Sequence, residues 1–183
     1  THFEDFPAAI AAYEQAVKAR PERTDLYIAR ASLEERLHRF DDAIQTCRRV
    51  YELTYHNPEW MERAAELHAR QGRRAEAVEA LRLAYLEGRP ERSWTLLQVA
   101  ARLERWNFLE DALSFAERAI AAASGNDPPD FTVWARIMAR LKRHQQAWAR
   151  LGGTPQARLA LASEIGRFAT PEEKAAFAAL LDR

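Results

Sequence analysis

Apolar residues recur along this chain at three- and four-residue intervals, in stretches that end at short polar breaks. From Asp25 to Leu37 the apolar contacts come from Leu26, Ile28, Leu33 and Leu37. From Phe40 to Leu53 they come from Phe40, Ala43, Ile44, Cys47, Val50 and Tyr51. That spacing predicts a pair of amphipathic helices. The breaks His38-Arg39, Gln71-Gly72-Arg73, Trp106-Asn107 and Arg143-His144 are so short that the helices flanking each must run antiparallel. Start signals agree. Asn57-Pro58, Asp127-Pro128 and Thr154-Pro155 each set an N-cap residue before a proline at the first helical position, and Thr170-Pro171-Glu172-Glu173 reads as a capping box.

The pattern repeats over the length of a helix pair. Ala9, Ala43, Ala77, Ala112 and Ala147 fall at spacings of 34, 34, 35 and 35, each followed by a larger apolar residue. Ala31, Ala65, Ala100 and Ala135 form a second column at 34, 35 and 35, and Ala16, Val50, Ala84, Ala119 and Thr154 a third, seven residues after the first. Methyl-sized residues at fixed positions have a physical cause. Where two helices cross closely, a longer side chain would force the axes apart, at about 1–3 kcal/mol. One unit cannot bury its apolar face alone, so neighbours must stack.

Composition supports an all-α chain. With 36 Ala and 19 Leu against 5 Val and 6 Ile, the residues that favour helices far outnumber those that favour pleated sheets. The 183 residues are 48% hydrophobic and 30% charged, enough to build a core. Lys and Arg number 27 against 27 Asp and Glu, which argues against a general nucleic-acid or membrane-surface binder. No apolar run reaches the length of a membrane span. Arg outnumbers Lys by 24 to 3, which reads as a GC-rich, bacterial genome. The chain opens at Thr1 without Met or a signal pattern, so it reads as a processed product or a piece of something longer. Its compartment stays open, with the cytoplasm favoured and the periplasm reached if a signal has been removed.

The segment from Asp5 to Arg23, DFPAAIAAYEQAVKARPER, resembles the second helix and exit turn of a tetratricopeptide repeat (TPR), through Ala9, Tyr13, Ala16 and Pro21. Trp60 to Pro90 resembles a nearly whole repeat, through Ala65, Gly72, Ala77, Leu81, Ala84 and Pro90. The resemblance covers residues 5–151. It implies an α-solenoid of antiparallel helix pairs, a right-handed superhelix of four to five repeats, within a single domain over 1–183. Residues 154–183 read as a terminal helix pair, Pro155–Gly166 and Pro171–Leu181, that caps or bends the array. The helix from Pro7 lacks a first-helix partner unless His2 and Phe3 are its remnant, which suggests truncation.

Catalytic chemistry is not visible, and the chain is expected to be no enzyme, with no cofactor and no metal. His2, His38, His56, His68 and His144 show no ligand spacing, and His38 and His144 read as solvated turn residues. A single cysteine excludes internal disulfides, and Cys47 stands in the stack-facing column of Tyr13, Leu81 and Leu151, which predicts a buried, inert thiol. Gly152-Gly153 lacks the strand and helix of a phosphate loop. Of the tryptophans, Trp148 and Trp134 read as core and Trp106 as a cover for helix ends. Trp60 and Trp94 open first helices, where packing and exposed anchoring both remain open.

The TPR resemblance further implies a concave groove lined by first helices. Carried onto this chain, its partner-binding residues are Ile28 and Ser32 in one unit, Glu62, Arg63, Glu66 and Arg70 in the next, then Trp94, Leu97 and Gln98, and finally Arg136 and Arg140. TPR domains that grip C-terminal carboxylates place Lys and Asn where this chain has Ile28, Ala29, Ser32, Glu59 and Arg63, so that function is not supported. Residues 131–167 hold seven basic residues against Glu164, whereas 110–130 hold five acids against Arg118. Either these are solvated faces that offset each other, or Arg136 and Arg140 take an acidic segment of a partner. The expected function is a non-enzymatic scaffold binding a partner protein, peptide or helix. Two rivals are a structural subunit with an apolar patch at Trp60, Trp94 and Leu97, and pentatricopeptide-like RNA binding. The latter is disfavoured because the matched positions vary from Ile28 to Glu62, Leu97 and Thr132.

Overall fold

The computed structural model describes residues 6–124, 130–150 and 155–181. Eleven α-helices and no strand occur among the described residues: α1 (Phe6–Ala19), α2 (Thr24–Arg36), α3 (Phe40–Leu53), α4 (Pro58–Arg70), α5 (Arg74–Tyr85), α6 (Ser93–Arg105), α7 (Leu109–Ala122), α8 (Thr132–Arg140), α9 (His144–Arg150), α10 (Pro155–Phe168) and α11 (Pro171–Leu181). They are the antiparallel pairs that the periodicity predicts, and they group into two compact units, Thr1–Arg89 and Pro90–Arg183. Among the described residues, no helix is long and apolar enough to cross a membrane.

One turn is copied four times. His38, Gly72, Asn107 and Lys142 each carry a left-handed backbone, with φ of 57°, 71°, 64° and 58°. In each case the next N–H reaches five residues back, as in Arg39 to Glu34, Arg73 to His68, Phe108 to Leu103 and Arg143 to Met138, at 2.8–3.0 Å. The left-handed residue's own N–H closes the inner bond, to Glu35, Ala69, Glu104 and Ala139, each at 3.0 Å. These are Schellman closures, which satisfy helix-end carbonyls while reversing the chain. Only Gly72 has a residue free of Cβ strain at that position. The predicted starts at Asn57 and Thr170 are also present: Asn57 Oδ1 accepts from Glu59 N at 3.2 Å. Thr170 N donates to Glu173 at 2.8 Å, while Glu173 N donates to Thr170 Oγ1 at 3.3 Å. The starts predicted at Asp127-Pro128 and at Thr154 involve positions outside the described residues, as do Gly152-Gly153 and His2-Phe3.

Within the first unit, consecutive helices from α1 to α5 pack as neighbours. Ala31, Ala43, Ala65 and Ala77 are fully buried, as the crossings require, whereas Ala9 on α1 is only half-buried. Tyr51 on α3 donates to the Leu83 carbonyl on α5 at 3.2 Å, and Arg73 pairs with Asp41, so bonds about one repeat apart tie successive pairs together. The second unit packs α6 against α7, α7 against α8, and α8 against α10. Ala100, Ala112, Ala135 and Ala147 are again fully buried. α10 buries Ala157, Leu161 and Ile165.

Two sequence expectations need correction. His144 is buried rather than solvated, because the turn closes at Arg143, whose N–H bonds the Met138 carbonyl at 3.0 Å, and His144 is already the first residue of α9. Trp148 is half-buried rather than core, with the Arg158 guanidinium 4.7 Å from its ring. Cys47 is buried as expected, and burial pushes its thiol up to about 12, so it stays protonated.

His68 on α4 carries a pH dependence. It is buried, and neither ring nitrogen has a hydrogen-bond partner among the described residues. Burial holds its imidazole below the ordinary 6.5; Arg48 and Arg73 act in the same direction, and Glu76 and Asp41 oppose them. The unfolded chain therefore takes up a proton more readily than the folded one. This contribution to stability is complete above the ordinary imidazole value and is lost as pH falls through it, until the folded value is passed. Urea midpoints measured at about pH 7.5 and pH 5.5 should differ less in His68→Leu than in the parent chain.

Candidate functional site

Trp94 stands out on the second unit. It follows Ser93 and precedes Thr95, both buried, and Thr95 Oγ1 donates to the Arg92 carbonyl at 2.7 Å, anchoring the first turn of α6. With its neighbours turned inward, Trp94 faces solvent and is 51% exposed. Leu97 and Gln98, three and four residues on, share its side of the helix and are half-buried and exposed. Gln98 Oε1 accepts from Arg102 at 2.7 Å. By contrast, Trp60 and Trp134 are buried at 8% and 1% exposure, as packing residues. Trp106 closes α6 and meets Phe108 edge-on at 6.4 Å.

The expected binding residues of the first unit are partly engaged with one another. Ser32 is half-buried, and its hydroxyl donates to the Ile28 carbonyl at 3.0 Å. Arg63 donates to Ser32 Oγ at 3.3 Å and pairs with Glu35, while its guanidinium lies 5.7 Å from the Trp60 ring. A cation held this way is oriented by three partners and is poorly placed to grip a free carboxylate. Glu66 and Arg70 form an exposed pair at 2.8 Å, and Glu62 is half-buried beside them.

Arg136 and Arg140 meet a carboxylate of their own chain. Glu104 at the end of α6 keeps a side chain only 6% exposed. Arg136 Nε and Nη2 donate to its two oxygens at 2.6–2.8 Å. Arg140 donates to the Glu104 carbonyl at 2.8 Å, to its carboxylate at 3.2 Å and to Asn107 at 3.0 Å. The bond to Glu104 holds the Arg136 guanidinium above its ordinary value. The acidic and basic stretches also meet each other: Arg143 pairs with Glu110 at 2.7 Å and Arg150 with Glu117. The charge gradient is largely an internal zipper.

The sequence reading foresaw the burial of none of the three buried carboxylates among the described residues, Glu104, Glu34 and Glu164. Glu34 is fully buried and accepts from Arg30 and from Thr46, both at 2.7 Å. Glu164 on α10 is buried beside Arg167 at 3.3 Å. Among the described residues, no group of three or more His, Cys, Asp and Glu is placed to hold a metal ion.

No family model and no curated protein matches the sequence. Among solved structures, the chain is similar to that of MamA, at 16% identity over 94% of this chain and 91% of the other, with a TM-score of 0.49. It is also similar to YrrB, described as a TPR protein with an unusual peptide-binding site, at 16% identity over 91% and 88%, with a TM-score of 0.47. A second MamA structure matches at 17% identity over 94% and 85%, with a TM-score of 0.47.

Proposed function

We propose that the chain is a non-enzymatic protein-interaction scaffold that holds a partner peptide or helix against its first helices. The observation that carries this reading is Trp94. A tryptophan 51% exposed on an anchored helical turn offers a large rigid apolar surface at little entropic cost, with Leu97 and Gln98 alongside. Trp60 is buried, so it adds nothing to the exposed apolar patch that a permanently wedged subunit would present. An acidic partner segment would have to share Arg136 and Arg140 with Glu104, and such a contribution would fade with salt. Affinity capture followed by titration of the captured partner provides the test. Trp94→Ala should weaken that binding by more than about tenfold while the circular dichroism of the chain is preserved. Unchanged affinity would show that the anchor lies elsewhere.

A further inference from the structure

We propose that the first unit carries a small-molecule site on α3, α4 and α5 that takes an aromatic monocarboxylate. Arg48, Tyr51, Glu52, His56, Met61 and Leu83 line an open pocket of about 340 Å³, within the size range of ligand clefts. Its walls are fixed before any ligand arrives. The Tyr51 hydroxyl donates to the Leu83 carbonyl at 3.2 Å, which ties its ring to α5. After α3, Tyr55 and His56 both have left-handed backbone, at φ of 53° and 63°, and the His56 N–H returns to the Tyr51 carbonyl at 2.9 Å. That closure brings the His56 ring to 4.8 Å from the Tyr51 ring, tilted by 43°. Two consecutive non-glycine residues in the left-handed region carry strain, and here the strain sets an aromatic wall in place. Met61 is buried and Leu83 half-buried, and both add apolar lining.

One charge is left for a ligand. Arg48 is exposed and forms no ion pair among the described residues, while Glu52, one turn on, pairs instead with Arg49 at 2.7 Å. Burial holds the Tyr51 hydroxyl above its ordinary range, with Glu87 adding to the effect and Arg89 opposing it. The charges around the pocket thus cancel in pairs, apart from Arg48. A ligand with one carboxylate matches that excess, whereas the second charge of a phosphate monoester would meet Glu52. Its flat apolar body would cover the Tyr51 and His56 rings and the Met61 and Leu83 side chains. The site is not a by-product of the repeat. Thirty-four residues earlier, Glu14, Val17, Glu22, Tyr27 and Arg49 stand in the places of Arg48, Tyr51, His56, Met61 and Leu83. That earlier position has an acid for the cation and no ring pair, and Arg49 sits beside the Tyr27 hydroxyl where Met61 and Leu83 leave space here.

Indoleacetate is the probe and indoleacetamide its neutral control. Titrated into the full chain and followed by backbone amide chemical shifts, the acid should saturate with a dissociation constant of about 1 mM, as expected for a ligand of that size in an open pocket. The shifts should centre on Tyr51, His56 and Leu83. The amide should bind about fivefold more weakly, and Arg48→Gln should weaken the acid by the same factor while leaving the amide unchanged. Leu83→Trp fills the pocket and, with helicity preserved, should weaken both probes at least about tenfold. Equal binding of acid and amide, or of the acid by the parent chain and Arg48→Gln, would overturn the proposal, and neither comparison disturbs a packed position. No saturation up to about 10 mM would overturn it too. So would loss of acid binding in Trp94→Ala, because the probe would then sit on the exposed tryptophan. A peptide acetyl-Gly-Gly-Trp that binds at least about tenfold more tightly than indoleacetate would also overturn it, since the natural occupant would then be a chain end.

Discussion

Glu104→Gln will destabilise the second unit by about 3 kcal/mol. The parent carboxylate neutralises two guanidiniums at once, Arg136 through a bidentate pair and Arg140 through its carboxylate and carbonyl. The amide keeps the shape and removes the charge that two cations, 29% and 26% exposed, share; Glu164 and Asp130 act on Arg136 only at longer range. The partial access of both cations to water keeps the loss near the lower end of the range for broken buried pairs. Arg136→Ala should cost less, because Arg140 still holds Glu104. Urea midpoints for the two single variants and the double variant form a cycle, and a coupling near zero would show that the geometry carries no net energy.

The contrast between Glu104 and the alanine columns shows what the sequence exposes. Small residues at a period of 34 or 35 are visible because every unit needs a methyl at the same crossing, and Ala31, Ala65, Ala100 and Ala135 are all fully buried. The turns are visible for the same reason, with His38, Gly72, Asn107 and Lys142 in one left-handed position. Partner choice among charges is not visible, because an arginine can reach several acids and exposure decides which pairs close. A signal was nonetheless present. Three residues after each column alanine stand Glu34, His68, Leu103 and Met138, and all four are buried. Two polar residues in an otherwise apolar column mark buried polar groups, one satisfied by Arg30 and Thr46 and one lacking a hydrogen-bond partner among the described residues. Trp94 and Trp60 both open first helices, but the alanine column separates them: Trp60, like Thr95, stands five residues before its column alanine and is buried, whereas Trp94, like Glu59, stands six before and is exposed.

Ala43→Leu will destabilise the first unit by up to about 3 kcal/mol, whereas Ala9→Leu will change stability by no more than about 0.5 kcal/mol. The two residues occupy the same position of the repeat and receive the same three extra carbons. Ala43 has no exposure and is covered by α2, so the larger side chain must move a helix or adopt a poor rotamer. Ala9 borders an open pocket, where those carbons enter free space beside Phe6 and Tyr13. Coverage is thus the main physical difference between the two sites, beside the exchange of Cys47 for Tyr13 and of Arg63 for Ala29, and thermal or urea unfolding of both variants measures its effect. A loss at Ala9 as large as that at Ala43 would show that the half-buried position tolerates no more volume than the buried one.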